Sequence, residues 1–214
     1  MQKNEIRSLI YNLLPRYSQG AEYHKEVIDR AIEKAINQLY TETFLRDPLS
    51  IQRYTKRFGT ITPITVSSDA TAGIYYSNYP TGVQPVPLPD KAAGVRRVTT
   101  PAQGGIKFYP LDIREFELIT SGSYYSLASG IIGYVPTRER VEYYGMTAAI
   151  VATGVRMDLL VPFSDYAETD QILIPENPNA DGETFTDMVL KILGVIRPID
   201  TKDDNVTTIE TAKQ

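Results

Sequence analysis

The chain has 214 residues, 42% hydrophobic and 22% charged, enough apolar material for one large or two small globular domains. It has no cysteine and one histidine, His24, which excludes disulfides, thiolate metal sites and multi-histidine metal centres. The formal net charge of −4 is uneven, with +3 on residues 1–60, zero on 61–164 and −7 on 165–214.

No run reaches the roughly 18–20 apolar residues of a membrane span. The opening MQKNEIRSLIYNLL places Glu5 and Asn12 inside its apolar part and has no small-residue cleavage site, so no secretory leader is expected. Instead, Ile6, Leu9, Ile10, Leu13 and Leu14 form one stripe of a short helix over 4–14, ended or redirected by Pro15. A longer helix is expected over 21–44. Its apolar residues Val27, Ile28, Ala31, Ile32, Ala35, Ile36, Leu39 and Tyr40 recur every four positions, so the stripe drifts around the helix. One short partner helix leaves much of that stripe uncovered, which makes Ile32, Ile36, Leu39 and Tyr40 candidate subunit-interface residues. His24, beside Glu22 and Glu26, reads as a surface residue.

After the Arg46-Asp47-Pro48 stop, residues 50–66 read as two strands meeting near Gly59. Residues 67–105 are proline- and glycine-rich and read as a loop or contact arm. Within them Pro85, Pro87 and Pro89 favour an extended course, and a strand is expected over 94–100. Further along come a strand at 106–110, a short helix at 113–119 capped by Asp112, and a small-residue, tyrosine-rich irregular stretch over 121–134. Alternation over 138–145 predicts a half-buried strand, AAIVAT (148–153) a second extended segment, and Val155 to Phe163 a third. Gln171 to Pro175 follows. Phe185, Met188, Val189, Ile192 and Leu193 then recur at helical spacing, with Asp181 or Thr184 as cap, Gly194 as stop and Pro198 barring continuation. Residues 200–214 read as a polar tail.

The order of these last elements resembles the head–tail adaptor, or ring, proteins of short-tailed double-stranded DNA bacteriophages. That family includes the tail tubular and tail accessory proteins that dock under the portal. Val155 to Phe163, Gln171 to Pro175 and Phe185 to Leu193 carry the resemblance, which extends more loosely to the N-terminal helices. It implies a structural virion protein, assembled in the host cytoplasm. Such a protein would form a closed homo-oligomeric ring, a dodecamer matching the portal above it. The ring would extend the DNA channel, receive a further tail or ring protein below, and make non-specific contact with passing DNA. No cofactor, metal or membrane is implied.

Chemistry-bearing motifs point elsewhere only weakly. No Walker loop, GxGxxG after a strand, HExxH or GxSxG occurs. Asp200, Asp203 and Asp204 lack the rest of a cation loop and read as a solvated turn. Glu139 and Glu142 are a nominal carboxylate pair for an alternative reading as a virion glycan hydrolase, although cross-strand salt pairing on an arginine-rich strand explains them better. A host-binding β-module is a third reading. Arg53, Lys56, Arg57, Arg96 and Arg97 form a candidate basic patch for a DNA channel or an inter-ring contact. Fifteen tyrosines and no tryptophan, with doublets such as Tyr75-Tyr76, add Tyr75 and Tyr76 to the candidate interface.

The expected fold is α+β. An N-terminal helical region (1–47) precedes a mostly antiparallel β-rich domain (48–198) closed by a C-terminal helix packed on the sheet, and then a tail (199–214).

Overall fold

The computed structural model describes residues 1–17, 23–70, 74–102, 104–112, 115, 131–176 and 184–195. Helix α1 spans Lys3–Tyr17 and α2 spans Lys25–Arg46. Eight residues of α2, from Ile28 to Phe44, are buried at alternating steps of three or four and one. That stripe is covered within the chain by α1, by two 3-10 turns (Ser50–Tyr54 and Phe163–Asp165) and by the closing helix, Phe185–Ile192. Ile32, Ile36, Leu39 and Tyr40 are at most 1% exposed, so these expected interface residues are core. A scarcity of helical partners does not leave a helix uncovered, because non-helical turns cover an apolar face as well as a helix does. Val27, expected in the stripe, is instead exposed.

Among the described residues, eight strands make two sheets. In chain order they are β1 Lys56–Phe58, β2 Ser67–Asp69, β3 Ile74–Asn78, β4 Val95–Thr99, β5 Tyr109–Pro110, β6 Gly133–Pro136, β7 Arg140–Tyr144 and β8 Arg156–Leu159. A three-stranded sheet has the order β1-β8-β4 and a five-stranded sheet β2-β3-β7-β6-β5. All pairings are antiparallel except β5 with β6. The fold is therefore α+β, with helices at both ends and mostly antiparallel sheets between them. Buried side chains of both helical and β-rich regions join one hydrophobic cluster.

The structure departs from the expected elements at several points. Helix α1 runs on through Pro15 to Tyr17. Residues 50–54 are a 3-10 turn rather than part of a strand. The expected arm over 67–105 contains β2, β3 and β4, and its proline-rich middle buries Val86, Leu88 and Ala92, so it is a strap on the core. Strand β6 lies partly in the stretch expected to be irregular. AAIVAT is a helix, α3 (Ala148–Thr153), with no buried residue. Its alanines favour helix, and no neighbouring strand claims its backbone groups. Gly154 ends it at φ +71°, where an added Cβ would sit 2.7 Å from the Ile64 carbonyl oxygen.

The closing helix α4, Phe185–Ile192, is capped by Thr184 in a reciprocal box with Asp187. It packs chiefly on α2 and α1. The expected helix over 113–119 (apart from residue 115), the alternative cap Asp181, Pro198 and the tail lie outside the described residues.

The N-terminus is fastened to residues 164–172. The Met1 ammonium donates to the Ile172 carbonyl at 3.2 Å, and Gln2 bridges Gln171. Lys3, 7% exposed, donates through Nζ to the Ser164 and Tyr166 carbonyls at 2.9 and 2.8 Å, over the Phe163 ring. Arg7 joins Asp29 bidentately and reaches Glu168 at 2.7 Å.

Candidate functional site

Strand β8 sits in the middle of the three-stranded sheet, and Asp158 is in register with Arg57 of β1 on one side and Arg97 of β4 on the other. Asp158 is 8% exposed. Its carboxylate accepts from Arg57 Nε at 2.8 Å and Nη2 at 3.1 Å, a bidentate ion pair that orients the guanidinium. Arg57 is held protonated more firmly than usual, chiefly by that hydrogen bond.

The register of β4 slips between Val95 and Arg97, making Arg96 the extra residue of a β-bulge. Strict alternation would send consecutive side chains to opposite faces. Here Arg96 and Arg97 both line one concavity of about 280 Å³, with Gln52, Thr55, Arg57 and Asp158. The Arg96 side chain is 9% exposed; its Nη1 donates to Asp90 at 2.6 Å and to the Ala93 carbonyl at 3.3 Å, and its guanidinium lies over the Phe44 ring. Arg96 Nε is buried and, among the described residues, has no acceptor. Arg97 is exposed and, among the described residues, has no hydrogen-bond or ion-pair partner. Ala93, in the turn that leads into β4, holds φ at +43°, the only non-glycine among the described residues with positive φ.

Of the five expected basic-patch residues, then, Arg57, Arg96 and Arg97 converge. Lys56 and Arg53 do not. Lys56 points to the opposite face of β1 and pairs with Asp170, its ammonium close over the Tyr166 ring. With Arg53 it lines a separate space of about 220 Å³. Asp170 is held below the ordinary carboxylate range, first by that lysine and then by the Ala167 amide. Asp158, which organises the cluster, is not among the expected site residues. Its signal in the sequence is an acid in a strand whose neighbours Met157, Leu159 and Leu160 are wholly apolar.

The other expected residues lie apart. Tyr75 packs against the core opposite Tyr143, and Tyr76 lies under the Arg140 guanidinium at 4.5 Å. Glu142 accepts from Arg140 at 2.8 Å and from the Tyr144 hydroxyl at 3.2 Å. Glu139 lines a different cleft of about 590 Å³ with Glu33, Arg138 and Asp165. A further cleft of about 580 Å³ runs beside the C-terminal end of α2, lined by Thr43, Arg46, Arg53, Tyr54, Leu173 and Glu176 among others. Of its lining, Leu173 is 60% exposed; Leu45 and Leu49, which neighbour lining residues in the chain, are 69% and 76% exposed.

Among the described residues, no cluster of histidine and carboxylate side chains could hold a metal ion, and no helix is long and apolar enough to cross a membrane. No family model, curated protein or solved structure matches the chain.

Proposed function

We propose that this protein is a structural subunit of a homo-oligomeric ring, a dodecamer, that joins a bacteriophage portal to the tail and extends the DNA channel. The observation that carries the reading is the exposure of Leu45 and Leu49, at and just after the end of α2, together with Leu173 on the cleft that their chain neighbours line. Large apolar side chains left in solvent are what a subunit interface covers. A ring of one chain needs a heterologous contact, in which this surface meets a different face of the next copy. The order of elements from Val155 to Leu193, which resembles that of the adaptor proteins, supplies the identity of the ring.

Its partners are further copies of itself, the portal above and another tail or ring protein below, all within the virion. Negative-stain imaging of the purified protein, alone and mixed with its portal, tests this. Rings that stack on the portal support the reading. Single subunits that neither close nor bind the portal contradict it.

A further inference from the structure

We propose that the concavity lined by Arg57, Arg96 and Arg97 binds a phosphate group, and that in the assembled particle this is a backbone phosphodiester of DNA. The choice of DNA as the source rests on the ring reading; the phosphate chemistry of the pocket does not.

Three guanidiniums there meet two carboxylates, Asp158 on Arg57 and Asp90 on Arg96, leaving one positive charge unbalanced. A phosphodiester carries one negative charge and neutralises it.

The donors are also prepared. Asp158 occupies Nε and Nη2 of Arg57 and leaves Nη1 to donate outward. Arg96 is clamped by Asp90, the Ala93 carbonyl and the Phe44 ring, which fixes its guanidinium at the wall of the concavity. Arg97 is exposed and, among the described residues, unpaired, while Gln52 adds an amide at the rim. The Thr55 hydroxyl proton is already given to the Gln52 carbonyl at 2.8 Å, so Thr55 is not counted as a donor. Planar guanidiniums match the paired oxygens of a phosphate better than ammonium groups do.

The backbone supports the same site. Placing Arg96 and Arg97 on one side needs the register slip between Val95 and Arg97, since strict alternation along the strand would send these two charges to opposite faces.

The test measures binding of a short labelled DNA duplex and of inorganic phosphate to the full chain, to Arg97→Gln and to Arg30→Gln. The last removes an exposed arginine of α2 that does not line the pocket. Each DNA phosphate neutralised by the protein adds about 0.9 to the slope of log affinity against log salt. Arg97→Gln is expected to lower that slope by about 0.9, the share of a single phosphate, and to weaken phosphate binding. Arg30→Gln should leave both near the parent values. Equal losses in the two variants, or no binding of either probe by the parent, overturn the proposal. Phosphate binding that depends on Arg97 without duplex binding overturns the DNA assignment and leaves a free-phosphate site.

Sedimentation of the same samples separates the pocket from the ring. Rings that bind neither probe sink the pocket alone, and binding that depends on Arg97 by a strictly monomeric chain sinks the ring alone.

Discussion

Asp170 and Glu168 show how single ionised side chains tie residues 164–172 to β1 and to α1, through Lys56 and Arg7. Both are held below the ordinary carboxylate range, Asp170 first by Lys56 and Glu168 first by Arg7. A carboxylate whose folded-state pKa is depressed contributes stability above its unfolded value, near 4, and loses it as pH falls through the folded value. Stability to urea is therefore expected to be flat from pH 7 to about 5 and to fall below about 4. In Asp170→Asn the acid-dependent part should shrink, because one of the titrating groups is gone. An unchanged acid dependence in that variant would mean that Asp170 is not ion-paired in solution. Lys3 makes a separate case, since its buried ammonium is met by two carbonyls and a ring rather than by a carboxylate. Lys3→Met removes the charge and leaves the Ser164 and Tyr166 carbonyls without their donor. It is expected to cost about 1–3 kcal/mol in urea denaturation.

At the scale of elements, α2 is the organising piece. Its buried stripe belongs to the core, so Ile36→Asp sets a charge among fully buried aliphatic groups. That change is expected to cost about 4 kcal/mol or more and to unfold the chain rather than merely disperse oligomers. Circular dichroism of the variant decides this, and a folded monomer would return Ile36 to a surface. On α4, Thr184→Ala removes one half of the capping box and is expected to cost about 1 kcal/mol in the same denaturation measurement.

These two helices also mark how far the sequence can be read. Periodicity alone locates α2, α4 and the core-facing residues of β7 and β8, because burial on one face writes itself into the spacing of apolar residues. The covering of α2 is not legible, since 3-10 turns at 50–54 and 163–165 carry no period. AAIVAT is ambiguous because six small and branched residues satisfy a short strand and a short helix equally. The basic cluster is half legible: the arginines are visible as residues, but their convergence needs the register of β8 and the bulge at Arg96. Neither is visible without the sheet.

For the whole molecule, the surface is divided by chemistry. The arginine concavity lies near the Phe44 end of α2, reached through Arg96, whereas Glu33, Glu139 and Asp165 line a cleft against the middle of the same helix. In the proposed ring the arginine concavity is left to DNA, so the subunit contact is not expected to run through it. The exposed leucines at the end of α2 would supply that contact, and apolar burial is not screened by salt as exposed charges are. Assembly, measured by light scattering, should therefore change little with salt, and Leu49→Asp should block it at any salt. Assembly by Leu49→Asp, or a strong salt dependence of the parent, would place the contact elsewhere on the molecule.

The most direct test of the ring is the mass of the assembled species by sedimentation velocity, for the parent chain and for Leu49→Asp. For the parent, one discrete closed ring is expected, a dodecamer as the resemblance to portal-docking rings implies. For Leu49→Asp the expected species is a folded monomer. A parent chain that remains monomeric at high concentration and with portal present, or a Leu49→Asp variant that forms the same closed species, would contradict the ring.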